Sequence, residues 1–332
     1  MRTPLLTSIA FVGLITASLA QEDDFSVLSS RLNLVTDEAL TTSISGNAAV
    51  AVGSGDCVVS REDVALFDAA LVVGDDVGAD IIAKHAPYGF PELRGSEQAL
   101  YQTDYVIGYS QTLKQPVLAA YVLHPADIVP RTREDCFRED SRLEGSHRST
   151  LSDYAEPIFD RGHLVPRADM NRTREAMVNT FLLSNMMPQH DNFNQGVWET
   201  LESAVRAWTL DLGSITVLTG PVFDKDGNAA RDDDATADRV RPDENVAIPT
   251  GFYKVLLHQQ ESGYIDALAV LMPHTDSEVP KSLSSEQKLA YIQDHIVSID
   301  EIEAVTGMDF LSALPEAKEA AIERAIAAGL WY

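Results

Sequence analysis

The stretch from Asn194 to Gly213 constrains this chain more than any other. At about 100° per residue, Val197, Trp198, Leu201, Val205 and Trp208 fall within an arc of about 100°, the apolar stripe of an amphipathic helix. Gly213 is placed to end it. Such a stripe has to be laid on another apolar surface, and strand-like runs supply one. YVIGYS and PVLAAYVL flank the polar turn QTLKQ as a β-hairpin, and SITVLTGPVF, VAIPTGFYKVLLHQ and IDALAVLMP follow the helix. Two later helices are suggested by SIDEIEAVTG and PEAKEAAIERAIAAGLW. Strands and helices mix without regular βαβ alternation, so the expected class is α+β. Because Trp198 and Trp208 lie on the stripe, they are expected in the core and not as platforms for stacking bases.

The ends of the chain carry other signals. Residues 4 to 20 form one apolar run after Arg2, closing on the small residues Ser18 and Ala20 before acidic QEDD. The expectation is a secretory signal peptide over residues 1–20 and a secreted or periplasmic protein, since the run is short for a membrane span. An oxidising compartment favours a disulfide between the two cysteines, Cys57 and Cys136. Residues 21–83 read as an acidic N-terminal extension of unknown role, and 84–332 as the domain that carries the chemistry.

A formal net charge of -26 argues against a phosphate binder. Its distribution softens the objection. From Arg131 to Arg174 there are nine Arg and nine Asp or Glu, so this segment is neutral and the rest of the chain holds the entire surplus. Its bases are all arginines, whose planar fork suits phosphate. The acidity elsewhere is read as a solubility device.

Within that segment, PIFDRGHLVP is a short strand-like stretch bounded by Pro157 and Pro166. Arg161 and His163, separated by one residue, would project to one face of the strand, and Gly162 removes bulk between them. A cation beside an imidazole that is neutral near pH 7 suits phosphodiester hydrolysis. NTFLLSNMMPQHDNFNQ reads as a turn-rich connection, with His190 as a solvated loop residue, leading to Asn194 at the helix start. With Asn194 at zero, Glu202 and Arg206 lie at about 80° and 120° around the helix, on the flank of the stripe. The Asn194 carbonyl is a hard ligand for Mg²⁺, and Glu202 could hold one of the ion's waters.

FDRGHLVPRADM, NTFLLSNMMPQ and NFNQGVWETLE, in that order and spacing, resemble the DNA/RNA non-specific endonuclease family. The similarity extends to PYGFP, VLTGPVF, VAIPTGFYKVLL and IDEIEAVTGMDFLSALP, over roughly residues 84 to 331. The resemblance implies a ββα-metal nuclease fold, a central antiparallel sheet flanked by helices. In its ββα finger His163 would leave a strand and Asn194 would open a helix. By the same resemblance His163 matches the general base, Asn194 the protein ligand of Mg²⁺ (with Mn²⁺ or another divalent ion as alternatives), and Glu202 the carboxylate that binds the ion's water. Arg161 matches a phosphate-contacting arginine, Arg206 an arginine that stabilises the phosphorane, and Asn185 a positional residue. An upstream arginine of the family has two candidates here, Arg133 and Arg138. DNA and RNA are the implied substrates, cut to 5′-phosphate products, with no membrane partner and with homodimer formation left open. Two rival readings would be a catalytically dead nuclease-like module, marked by loss of the base or the metal ligand, and a hydrolase of small phosphodiesters. His163, Asn194 and Glu202 are all present.

Overall fold

The structure, a computed structural model, describes residues 25–41, 56–71, 73–155, 157–240, 246–275 and 279–331. The expected signal peptide lies outside the described residues. A seven-stranded antiparallel sheet forms the centre, built from β1 (Glu97–Tyr101), β2 (Val106–Ser110), β3 (Gln115–Leu123), β6 (Ile215–Val222), β7 (Gly251–Gln259), β8 (Ile265–Pro273) and β9 (Ile296–Val297) in that spatial order. A separate two-stranded ribbon pairs β4 (Phe159–His163) with β5 (Met186–His190). Helices cover both faces of the large sheet, which is the α+β architecture expected.

Coverage of both faces explains why the strands read as nearly continuous apolar runs. On β3, Ala119, Tyr121 and Leu123 face one core and Leu118 and Ala120 the other. The first core receives α5 (Glu199–Leu212) and α6 (Ser285–Gln293), and the second receives α3 (Asp75–His85) and α7 (Ile299–Thr306). All five residues of the apolar stripe are at most 1% exposed. Each is worth about 1.5–3 kcal/mol of burial. Gly213 ends α5 at φ 101°, a conformation open to glycine.

The acidic extension is part of the same core. Phe25, Leu28 and Leu32 of α1 (residues 25–32), with Val35 and Leu40 after it, pack into the cluster that holds Trp198, Leu201 and Trp208. Farther on, α2 (Arg61–Ala70) lies beside the Arg-rich segment, and the disulfide between Cys57 and Cys136 ties the two together across 79 residues. Backbone bonds flank it, from Val58 N–H to the Asp135 carbonyl at 2.9 Å and from Phe137 N–H to the Asp56 carbonyl at 2.8 Å. Among the described residues no helix is long and apolar enough to cross a membrane.

Two local expectations are corrected. The connection before Asn194, expected to be turn-rich, contains a strand, β5, with Pro188 in it. It is tolerated because the ribbon has two strands only, so each is an edge with unpaired positions. His190 is not a solvated loop residue. Its ring packs at a tilt against Phe159 and His274, with centroids 4.7 Å away in each case, and its backbone N–H donates to His274 Nε2 at 2.8 Å.

Candidate active site

The ribbon and α5 make a ββα unit, and a cleft of about 720 Å³ opens beside it. His163 is the last residue of β4, and Asn194 lies in a π-helical turn, Phe193–Trp198, that runs into α5. Gly196 departs from helical dihedrals inside that turn, which resets the helix phase between Asn194 and the residues of α5. His163, Arg161, Asn194 and Glu202 all line the cleft. Gly162 is needed between the first two, because a Cβ there would meet Gln189 Oε1 at 2.0 Å.

His163 is partly buried, and Phe181 holds its ring edge-on at 4.9 Å while Phe137 lies 6.1 Å away. Its Nε2 is sealed from solvent and has no hydrogen-bond partner among the described residues. Burial, with the guanidiniums of Arg133, Arg167 and Arg161, pushes the imidazole pKa down to about 3, against an opposing pull from Asp37. The ring is therefore neutral at ordinary pH.

Asn194 donates its amide NH₂ to Asp160 at 2.9 Å, and Gln195 donates to the same carboxylate oxygen at 2.7 Å. A carboxamide whose nitrogen is held in this way presents its oxygen as the remaining ligand atom. Glu199 and Glu202 lie in the same cleft one helical turn apart. Burial raises both carboxyl groups above their ordinary range. Beneath Glu202, Lys254 is 1% exposed, stands 4.6 Å over the Trp198 ring and donates to Thr219 Oγ1, and burial lowers its ammonium. Oxygen donors at a site whose lining holds more carboxylates than guanidiniums fit a hard divalent cation.

Two other sequence-predicted residues lie outside the cleft lining. Asn185 is fully buried and clamps the chain just past His163, accepting from Val165 N–H at 2.9 Å and donating to the Val165 and Thr180 carbonyls. Arg206 is as fully buried. It is 0% exposed, and its three donor nitrogens go to the Val35 carbonyl, Asp169 at 2.8 Å and Ser203 at 3.0 Å. These bonds tie it to the segment around Val35, which closes over the helix one turn beyond Glu202. Of the two upstream candidates, Arg133 lines the cleft, whereas Arg138 is turned away to Asp68, Asn179 and the Val178 carbonyl.

Arg167, Glu199, Lys254, Asp37 and Glu38 escaped the sequence reading. Arg167 stands four residues after His163, and Glu199 three before Glu202 on the helix, so spacing could have flagged both. Lys254 alternates with Phe252 and Leu256 on the face of β7 that packs against α5, a position that spacing also marks. Nothing local marked Asp37 or Glu38, which reach the cleft only through the fold.

Residues 83–317 match the model of the DNA/RNA non-specific endonuclease family. The chain is 31% identical over 234 residues to the mitochondrial endonuclease G of Homo sapiens, covering 68% of this chain and 72% of that protein. It is 32% identical over 221 residues to nuclease C1 of Cunninghamella echinulata var. echinulata, covering 65% and 83%. With the mitochondrial nuclease of Saccharomyces cerevisiae the identity is 28% over 252 residues, covering 71% of each. A match across that much of the chain, with the histidine, asparagine and glutamate of the motifs meeting in one cleft, gives the assignment: the chain belongs to the DNA/RNA non-specific endonuclease family.

Proposed function

We propose that this protein is an exported, Mg²⁺-dependent endonuclease that cuts DNA and RNA to 5′-phosphate and 3′-hydroxyl ends. The observation that carries the reading is the convergence of His163, Asn194 and Glu202 on one cleft walled by Arg133, Arg161 and Arg167. His163 is the base. Since its Nε2 is sealed without a partner, Nδ1 is the ring nitrogen assigned to take a proton from the attacking water. The depressed imidazole pKa keeps that nitrogen unprotonated, and an arriving phosphate offsets the guanidinium charge that disfavours the imidazolium.

Asn194 Oδ1 would hold the ion directly and Glu202 would hold its water, with Glu199 as a second carboxylate at the same wall. When bound, a divalent ion supplies charge stabilisation to the phosphate and to the departing 3′ oxygen. Arg133, Arg161 and Arg167 bind the non-bridging phosphate oxygens and hold the diester in line for attack. Asp160 fixes the orientation of Asn194. Attack by the water oxygen on phosphorus expels the 3′ oxygen, which takes up a proton from solvent. Because a sugar 2′-hydroxyl takes no part, DNA and RNA share the site. The disulfide supports export, since such bonds persist in oxidising compartments.

The test is digestion of supercoiled plasmid and of structured RNA by purified protein, with Mg²⁺ and with EDTA, followed by end-labelling of the products. Cleavage of both polymers that EDTA abolishes is expected, with ends that ligase accepts without prior phosphorylation. Cleavage undiminished in EDTA, or 3′-phosphate ends, would overturn the reading.

A further inference from the structure

Each guanidinium of the cleft is already engaged by a carboxylate, and most of those carboxylates come from the chain ahead of the family region. Arg167 pairs with Asp37 at 2.7 Å, and Arg133 pairs with Asp37 at 3.1 Å and with Asp135. Arg161 pairs with Asp56 at 2.9 Å while lying 3.9 Å over the Phe137 ring. Asp37 and Asp56 both precede residue 83, where the family match begins. Both are held in place. Asp37 follows Val35, whose carbonyl is fixed by Arg206, and Asp56 adjoins the Cys57–Cys136 disulfide. Burial works against the Asp37 charge, yet Arg167 and Arg133 keep its carboxyl below the usual range, so it is ionised.

We propose that Asp37 and Asp56 are affinity-determining residues that compete with substrate phosphate for Arg167, Arg133 and Arg161. The proposal rests on the cleft being the phosphodiester site. A phosphate enters by displacing a carboxylate from a guanidinium, so the arginines' counter-charges are side chains of the protein and not anions from solution. The displaced carboxylates take up cations as the nucleic acid releases its own, so net ion release is small and the dependence of binding on salt is shallow. When the bond is cut, the product's new 5′-phosphate carries added charge that would cling to bare arginines. The returning carboxylates favour its departure. The acidic extension thus has a function at the site besides solubility: it lowers affinity to a level compatible with turnover.

The test uses the full chain and its Asp37→Asn, Asp56→Asn and double variants, in EDTA so that nothing is cut. Binding of a fluorescein-labelled single-stranded 20-mer DNA is followed by anisotropy from 20 to 300 mM KCl. Each substitution is expected to tighten binding at low salt about two- to fivefold, the range of a partly exposed ion pair. Each should also steepen the slope of log K against log[KCl] by about one. In the presence of Mg²⁺, KM for plasmid should fall and kcat should not rise. Affinity within twofold of wild type with an unchanged slope would overturn the proposal, as would weaker binding, which would make these carboxylates supports of the arginines. Asp37→Asn strips the buried Arg167 of its carboxylate, so if that variant fails to fold, Asp56→Asn, in a pair 30% and 38% exposed, decides alone. Wild-type protein that cleaves plasmid while neither variant differs from it defeats only this proposal. Wild-type protein that neither binds nor cleaves nucleic acid defeats the nuclease reading and this proposal together.

Discussion

Arg206→Ala separates a structural arginine from a catalytic one. Arg206 and Asp169 are 0% and 1% exposed and 2.8 Å apart, and the second oxygen of Asp169 accepts from the Tyr121 hydroxyl at 2.8 Å. Removing the guanidinium strands an ionised carboxylate in the core, which costs about 3–5 kcal/mol. It also frees the Val35 carbonyl, and with it the anchor of the segment that carries Asp37. Against a total stability of about 5–15 kcal/mol, that loss is severe. Urea unfolding, with the disulfide intact, should show the midpoint fall by an amount corresponding to that range. Arg206→Ala with Asp169→Asn should recover part of the loss, because the stranded charge is gone. Activity per folded molecule at 10 °C should stay within about tenfold of wild type. The opposite pattern would refute the reasoning: stability within about 1 kcal/mol of wild type and kcat lowered by more than about 10²-fold, the scale of a lost transition-state contact.

Four further outcomes are expected. His163→Ala should lose about 10²- to 10⁴-fold in kcat with no rescue by added Mg²⁺, whereas Asn194→Ala should show weaker apparent metal affinity and partial recovery at high Mg²⁺; metal rescue of His163→Ala in the plasmid assay would disprove the assignment of the base. Because burial and three guanidiniums hold His163 below 6.5, and the neutral ring is the active form, kcat/KM should persist as pH falls past 6.5 and fail only at lower pH; an acid limb at or above 6.5 in the pH–rate profile would contradict this. Replacing Cys57 and Cys136 by Ser should lower stability by roughly 4 kcal/mol, the chain-entropy value for a loop of 79 residues, and an unchanged denaturation midpoint would count against it. The cleft lining holds six carboxylates against three guanidiniums, so activity should hold or rise as KCl is added from low levels; a steep monotonic fall would show that the acidic surroundings do not govern the encounter.

Sequence alone was enough for the elements whose formation is local. The stripe from Val197 to Trp208 demanded a helix on a sheet, and the apolar runs of β2, β3, β6, β7 and β8 supplied that sheet because each run is long enough to declare its period. The order and spacing of DRGH, Asn194 and Glu202 named the family and put these residues near one another, since a short ribbon and the helix after it leave little freedom. What escaped was set by contacts distant along the chain. Arg206 and Glu202 look equivalent on a helical projection, yet one is sealed by Val35 from 171 positions away and the other opens on the cleft. Arg133 and Arg138 were indistinguishable until Asp68 on α2 drew Arg138 aside. The acidity of the extension reads from composition as solubility. Only the tertiary structure places Asp37, 130 positions from Arg167, and Asp56, 105 from Arg161, on the guanidiniums of the cleft, because long-range ion pairs depend on how the chain folds back and leave no periodic trace in the sequence.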